Sequence, residues 1–265
     1  MHSIEFVGIP GVGKSTLSQG VVKYIYGKSR NSILTSEKAL FYAAKENCDI
    51  SLRRILRILP QAIGYRLFNT VGGRTYWQQE YILDFILENH CLLKTILDSS
   101  IKNILSYAEQ KAVINAFLHA GGLQLCLEKS SRLDDWILFD EGILQKSMMF
   151  VSPNGLVNKE ELVQYLSLLT LPDVVVCLHI DSDKCLQRMN GRTKGYTSRL
   201  KNQSKEQVDA FLNYSLDHWE FVTSWLMKNT NKHILVVNTD QEQSYLISKL
   251  GDDLNAIIKD ICGSI

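Results

Sequence analysis

Lys14 and Ser15 close the segment Gly8-Ile9-Pro10-Gly11-Val12-Gly13-Lys14-Ser15-Thr16, whose spacing is G-x-x-x-x-G-K-S. Gly11 and Gly13 let the backbone turn its N–H groups toward an anion without a Cβ in the way. The positive end of a following helix adds to that anion site. In such a loop the lysine ammonium reaches the β- and γ-phosphates of a nucleoside triphosphate, and the serine hydroxyl sits on Mg²⁺. Gly8, Pro10, Gly11, Val12, Gly13, Lys14, Ser15 and Thr16 are therefore the candidate nucleotide-binding residues, with ATP and Mg²⁺ as the expected cofactors.

Two groups of carboxylates could complete the chemistry. Trp136-Ile137-Leu138-Phe139 is an apolar run that ends in Asp140-Glu141-Gly142. A strand of this kind places its terminal Asp beside the loop's metal, so Asp140 joins Ser15 as a metal-side candidate, acting through water. Glu141 is a candidate to orient or deprotonate the attacking nucleophile, either a substrate hydroxyl or water. Glu37, after the short run ending in Thr35-Ser36, is a rival base; it reads equally as an ordinary acidic residue in the first turn of a helix.

A third constellation is basic. Asp181 can cap a helix that presents Arg188 and, four residues on, Arg192, both on one face. The basic stretch from Arg192 to Arg199 reads as a lid that would bring cations to a transferring phosphoryl group and exclude water. The plainer alternative is a solvated basic helix end.

These residues need a frame to hold them. Apolar runs at Ile4–Val7, Ser32–Thr35, Trp136–Phe139, Val174–Ile180 and Ile234–Val237 read as buried parallel strands. Helical patterns alternate with them: Ser15 to about Tyr26 with Gly27 as C-cap, Glu160–Leu169, Lys205–Lys228 and Gln243–Ile261. That alternation predicts a three-layer α/β fold around a doubly wound parallel sheet. Residues 38–134, between the second and third strands, read as a helical insertion beside the phosphate end of the sheet. Its clearest helices are Ser51–Leu59, Gln78–Leu87 and Lys111–Leu127, with breaks expected at Asn69–Gly73 and at Gly121-Gly122. The whole chain, 1–265, is expected to form one domain, with a lid at about 188–202.

Composition narrows the function classes. The 265 residues carry 29 basic and 28 acidic side chains, a net charge of +1, so no field holds a nucleic-acid polymer. The six cysteines form no C-x-x-C pair, which fits reduced thiols better than disulfides or zinc. Neither a signal peptide nor a membrane-spanning run is read, so the expectation is a soluble, cytoplasmic protein without a membrane partner.

The glycine loop, the strand ending in Asp140, and the stretch from Leu171-Pro172-Asp173 to Arg192 together resemble the phosphate-loop nucleoside and nucleotide kinases. The thymidylate kinase and deoxynucleoside kinase branch is the nearest likeness. The resemblance implies strand order 2-3-1-4-5 in a five-stranded sheet and lid arginines on the phosphates of ATP. It also implies that the loop Asn238-Thr239-Asp240 lies near the adenine, with Asn238 and Asp240 as cofactor-binding candidates. Two departures stand out. Asp140-Glu141-Gly142 occupies the place of Asp-Arg or Glu-Arg-Ser, and Ser36 that of the arginine in a T-R-E segment. The implied activity is transfer of the γ-phosphoryl group to a small-molecule acceptor, a nucleoside or nucleoside monophosphate first. A non-nucleotide metabolite such as a sugar is the alternative acceptor. An NTPase with a protein-binding insertion is the competing class, and the assembly is open between a monomer and a homodimer.

Overall fold

The computed structural model describes residues 1–28, 33–47, 57–70, 73–98, 106–130, 136–152, 155–156, 158–191, 200 and 203–263. Five parallel strands form the central sheet: β1 (His2–Gly8), β2 (Ile33–Thr35), β3 (Trp136–Phe139), β6 (Val174–His179) and β7 (His233–Asn238). Their spatial order is β2-β3-β1-β6-β7, the expected 2-3-1-4-5 when the sheet strands are counted along the chain. Two further strands, β4 (Val151–Ser152) and β5 (Gly155–Leu156), make a small antiparallel ribbon apart from it.

β1 is the central strand, paired in register with Trp136–Phe139 on one side and Val174–Leu178 on the other. Burial on both faces explains why β3 and β6 read as continuous apolar runs rather than alternating ones. β1 sits where the strand order reverses, which opens a crevice beyond its carboxyl end.

The helices of the frame are α1 (Lys14–Lys28), α2 (Ser36–Asn47), α7 (Lys159–Leu168), α8 (Ser182–Asn190), α9 (Lys205–Asn229) and α10 (Gln243–Gly263). The insertion contributes α3 (Gln61–Thr70), α4 (Gly73–Glu88), α5 (His90–Asp98) and α6 (Tyr107–Lys129). Of the expected insertion helices, Gln78–Leu87 lies within α4 and Lys111–Leu127 within α6, whereas residues 51–56 of the Ser51–Leu59 helix lie outside the described residues. Of the break expected at Asn69–Gly73, Asn69 and Thr70 belong to α3 and Gly73 to α4, and residues 71–72 lie outside the described residues.

Two glycine expectations are corrected. Gly27 does not end α1, which runs on to Lys28; that ammonium donates to the Asp252 carboxylate (2.7 Å) and the Tyr24 hydroxyl (3.1 Å), tying the last turn to α10. Gly121-Gly122 is no break either, because α6 passes straight through it from a Ser106/Glu109 capping box. A Cβ on Gly121 would fall 2.2 Å from the Phe85 ring, so the glycine lets α6 pack directly against α4.

The core has two parts. The larger surrounds the sheet, from Phe6 and Val176 out to Phe211 and Trp219 on α9. The smaller, with Phe41, Phe68, Leu123, Ile137 and Phe139, fastens the insertion to the β3 side of the sheet. No helix among the described residues is long and apolar enough to cross a membrane.

Candidate functional site

β1 ends at Gly8 and α1 begins at Lys14, so the glycine segment forms the connection at the sheet's crevice. Gly11 and Gly13 have φ of +92° and +103°, which side-chain-bearing residues rarely adopt. At Gly11 a Cβ would also meet Cys185 Sγ at 2.7 Å. The Cys185 thiol donates to Pro10 O, which moors the outer part of the loop to α8.

Lys14 is 9 % exposed and its ammonium donates to Gly8 O (2.8 Å) and Ile9 O (3.2 Å). Burial pulls its pKa down to about 8, against the opposing pull of Glu141 and, more weakly, Asp140. Among the described residues the hydrogen-bond partners of Lys14 are main-chain carbonyls, weaker acceptors for a cation than an anion would be. Ser15 and Thr16 are exposed at the start of α1, Asp140 is half-buried at the end of β3, and Glu141 is exposed. Hydroxyl and carboxylate oxygens are the hard donors that Mg²⁺ takes, with waters and substrate phosphates completing its shell. No cluster of three or more His, Cys, Asp or Glu among the described residues could hold a metal by itself.

Arg188 lies across the loop. Its Nη1 donates to Val12 O and Thr239 Oγ1, both at 3.3 Å, and Nη2 to Thr239 O at 2.7 Å. With Gly11, Gly13, Thr16, Gln241 and Gln243 it lines a cleft of about 290 Å³. The loop after β7 reaches this cleft through Thr239 and Gln241. Asn238 and Asp240 do not line the cleft: the Asn238 side chain accepts from Asp240 N (2.9 Å), and the Asp240 carboxylate pairs with Lys184. The described part of α8 ends at Asn190, where the Gly191 N–H closes on Gln187 O. Arg192 lies outside the described residues. Asp181 holds the N-cap position of α8 without a side-chain bond to it.

A second cleft, of about 280 Å³, opens on the other flank of α1. Thr35, Ser36, Glu37, Tyr65, Leu138 and Asp140 line it together with Ser18 and Val22. Glu37 is a first-turn residue of α2, as one of its two readings had it, and also lines this cleft; the Tyr65 hydroxyl donates to its Oε2 at 3.4 Å. Asp140 shares this cleft with Glu37, whereas Glu141 is not among its lining residues. Instead Glu141 pairs with Lys146 at 3.4 Å.

Three residues of the site escaped the sequence reading. Lys146 is one. The others are Glu5, buried at the centre of β1, and Gln145, buried in the 3₁₀ helix Leu144–Phe150. Burial raises the Glu5 pKa to about 7 despite hydrogen bonds from the N–H groups of Gln145 and Leu144. A carboxylate inside the apolar run Ile4-Glu5-Phe6-Val7 was the available signal, since such a residue is almost never fully buried without partners.

No protein-family model and no curated protein matches the chain. Among solved structures it is similar to deoxyadenosine kinase from M. mycoides with bound dATP, at 17% identity, 96% of this chain and 100% of that chain, with a TM-score of 0.48. The same enzyme with bound dCTP aligns at 13% identity over 96% of this chain and 99% of that chain, with a TM-score of 0.43.

Proposed function

We propose that the protein is an ATP- and Mg²⁺-dependent phosphotransferase that moves the γ-phosphoryl group to a small-molecule acceptor. The acceptor class is a nucleoside or nucleoside monophosphate, with a sugar-like metabolite as the alternative. The observation that carries this reading is the pair of clefts on the two flanks of α1, one against the phosphate loop and Arg188, the other against Glu37 and Asp140. A nucleotide and an acceptor seated in them would meet at the start of α1.

In this reading the loop N–H groups and Lys14 hold the β- and γ-phosphates, and Ser15 and Asp140 hold the metal. Mg²⁺ would supply charge neutralisation on the phosphate oxygens. Glu37 takes the proton of the acceptor hydroxyl from within the second cleft. Arg188, with Arg192 as its proposed companion, opposes charge on the transferring group, an effect that grows in the transition state. One observation favours a second reading. Glu141 is exposed and outside the acceptor-side cleft, which suits activation of water by an NTPase.

Measuring ADP release with deoxynucleosides, nucleoside monophosphates and sugars as acceptors separates the two. The kinase reading expects acceptor-dependent turnover, and ATP hydrolysis at one rate whatever acceptor is added would overturn it.

A further inference from the structure

Beneath the phosphate loop lies a buried polar chain that the chemistry above does not use. Glu5 accepts from Gln145 N at 2.7 Å and from Leu144 N at 3.2 Å, pinning the 3₁₀ helix to the middle of β1. Gly142 lies directly over this carboxyl, where a Cβ would come within 2.4 Å of Cδ. From that anchored helix the Gln145 amide reaches Gly8 and closes both of its backbone bonds. Gly8 N–H donates to Oε1 (2.9 Å), and Nε2 donates to Gly8 O (3.1 Å). The same Gly8 carbonyl is the nearer acceptor of the Lys14 ammonium.

We infer that Gln145, held in place by Glu5, is a positioning residue that lets Lys14 exchange the loop for a nucleotide phosphate. This rests on the nucleotide-binding reading and deepens it. Gly8 O has two lone pairs and two donors. When Lys14 turns to a phosphate, the carbonyl keeps the Gln145 amide and is not left buried and unpaired. Without that amide, departure of the ammonium would strand a buried acceptor, and the penalty would appear as weaker nucleotide binding. The amide also fixes Gly8 at φ +147°, and with it the start of the loop.

The test is the affinity of the full chain for Mg·ATP by titration calorimetry, with Lys14→Ala as reference. Gln145→Met fills the space without either bond and should weaken Mg·ATP binding about tenfold. Gln145→Glu carries the finer test. Its protonated carboxyl has the amide's donor and acceptor, whereas its ionised form has lost the donor and faces Glu5, Lys14 and Lys146. Its affinity relative to the unsubstituted protein should therefore recover as pH falls from 8 to 5, while that of Gln145→Met stays low throughout. A packing role alone would lower thermal stability in both variants and leave that ratio flat. Two results would overturn the inference and leave the nucleotide reading standing: wild-type affinity in Gln145→Met, or a pH-independent ratio in Gln145→Glu, with binding lost in Lys14→Ala. Unchanged binding in Lys14→Ala would remove the reading and the inference together.

Discussion

The two clefts beside α1 are built from different materials. Around the glycine loop, the side proposed for the nucleotide, the partners are mostly main chain: Arg188 donates to Val12 O and Thr239 O, Cys185 to Pro10 O, and Gln145 to Gly8 O. In the cleft proposed for the acceptor the partners are side chains, the Tyr65 hydroxyl donating to the Glu37 carboxylate, and Glu37, Tyr65 and Asp140 come from α2, α3 and the end of β3. A main-chain site is dictated by where the backbone must turn, and glycine spacing announces that. A side-chain site depends on which helices happen to meet, and no short motif announces that. The nucleotide side should therefore respond to changes in backbone partners, and the acceptor side to single functional groups.

The largest expected effect is at the lysine of the glycine loop. Lys14→Met should abolish turnover, a loss of at least about a hundredfold. It should not lower the melting temperature at pH 7, because a desolvated ammonium is removed from a position where burial pulls its pKa to about 8. The sign follows from linkage. The burial penalty on Lys14 is complete below about pH 8 and fades as pH rises toward 10.5. Scanning calorimetry beside a turnover assay checks both halves, and a variant that keeps turnover breaks the comparison at its root.

Next in size is the acceptor side. Glu37→Gln should lower acceptor-dependent turnover by about a hundredfold to ten-thousandfold, the usual worth of a general base, and leave ATP affinity unchanged. Glu141→Gln should spare acceptor-dependent turnover. The reverse pattern in steady-state kinetics would move the base to Glu141 and empty the second cleft of its role.

Arg188→Ala should cost about a hundredfold in kcat and less in ATP binding. Lysine should rescue it only in part, because one ammonium cannot span Val12 O and Thr239 O as the fork does. Equal losses in both parameters would make Arg188 a strut of the loop and not a partner of the transferring group.

The smallest effect is on stability and its pH dependence. Glu5, with its pKa raised to about 7 by burial, contributes stability that is complete below about pH 4.5 and lost as pH rises through 7. The swing is on the order of 3 kcal/mol. Buried His218, lowered to about 3, works in the opposite sense: its contribution is present above about pH 6.5 and lost as pH falls toward 3. Glu5→Gln should remove the first slope and expose the second, so that denaturant unfolding shows stability rising from pH 4.5 to 6.5. The acceptor KM should not move.

How much of this was legible follows the same division. Trp136–Phe139 was bounded correctly because a strand buried on both faces shows as an unbroken apolar run. The parallel sheet followed from alternation, and its strand order from the family likeness alone. Gly121 misled because glycine signals a turn and a close helix contact with the same letter, and only Phe85, on another helix, tells them apart. In the β7 loop the chemically richer Asn238 and Asp240 drew attention, yet they are occupied with each other and Lys184, while the buried Thr239 meets Arg188. Gln145 was invisible for the plainest reason: its partner, Gly8, is 137 residues away in sequence.

The contact between α1 and α10 carries a consequence for how the protein is made. Gly20 on α1 admits Ile247, and Gly251 on α10 admits Tyr24, so the helix that opens the phosphate loop lies directly on the last helix of the frame. Contacts so distant in sequence form only after a large loop of chain has been closed, which slows folding. On the ribosome, the glycine loop and α1 emerge long before the helix that α1 packs against. Until Gln243–Gly263 is synthesised, α1 and the glycine loop before it lack one side of their packing, so a ligand of that loop would stabilise the partly made chain less than the finished one.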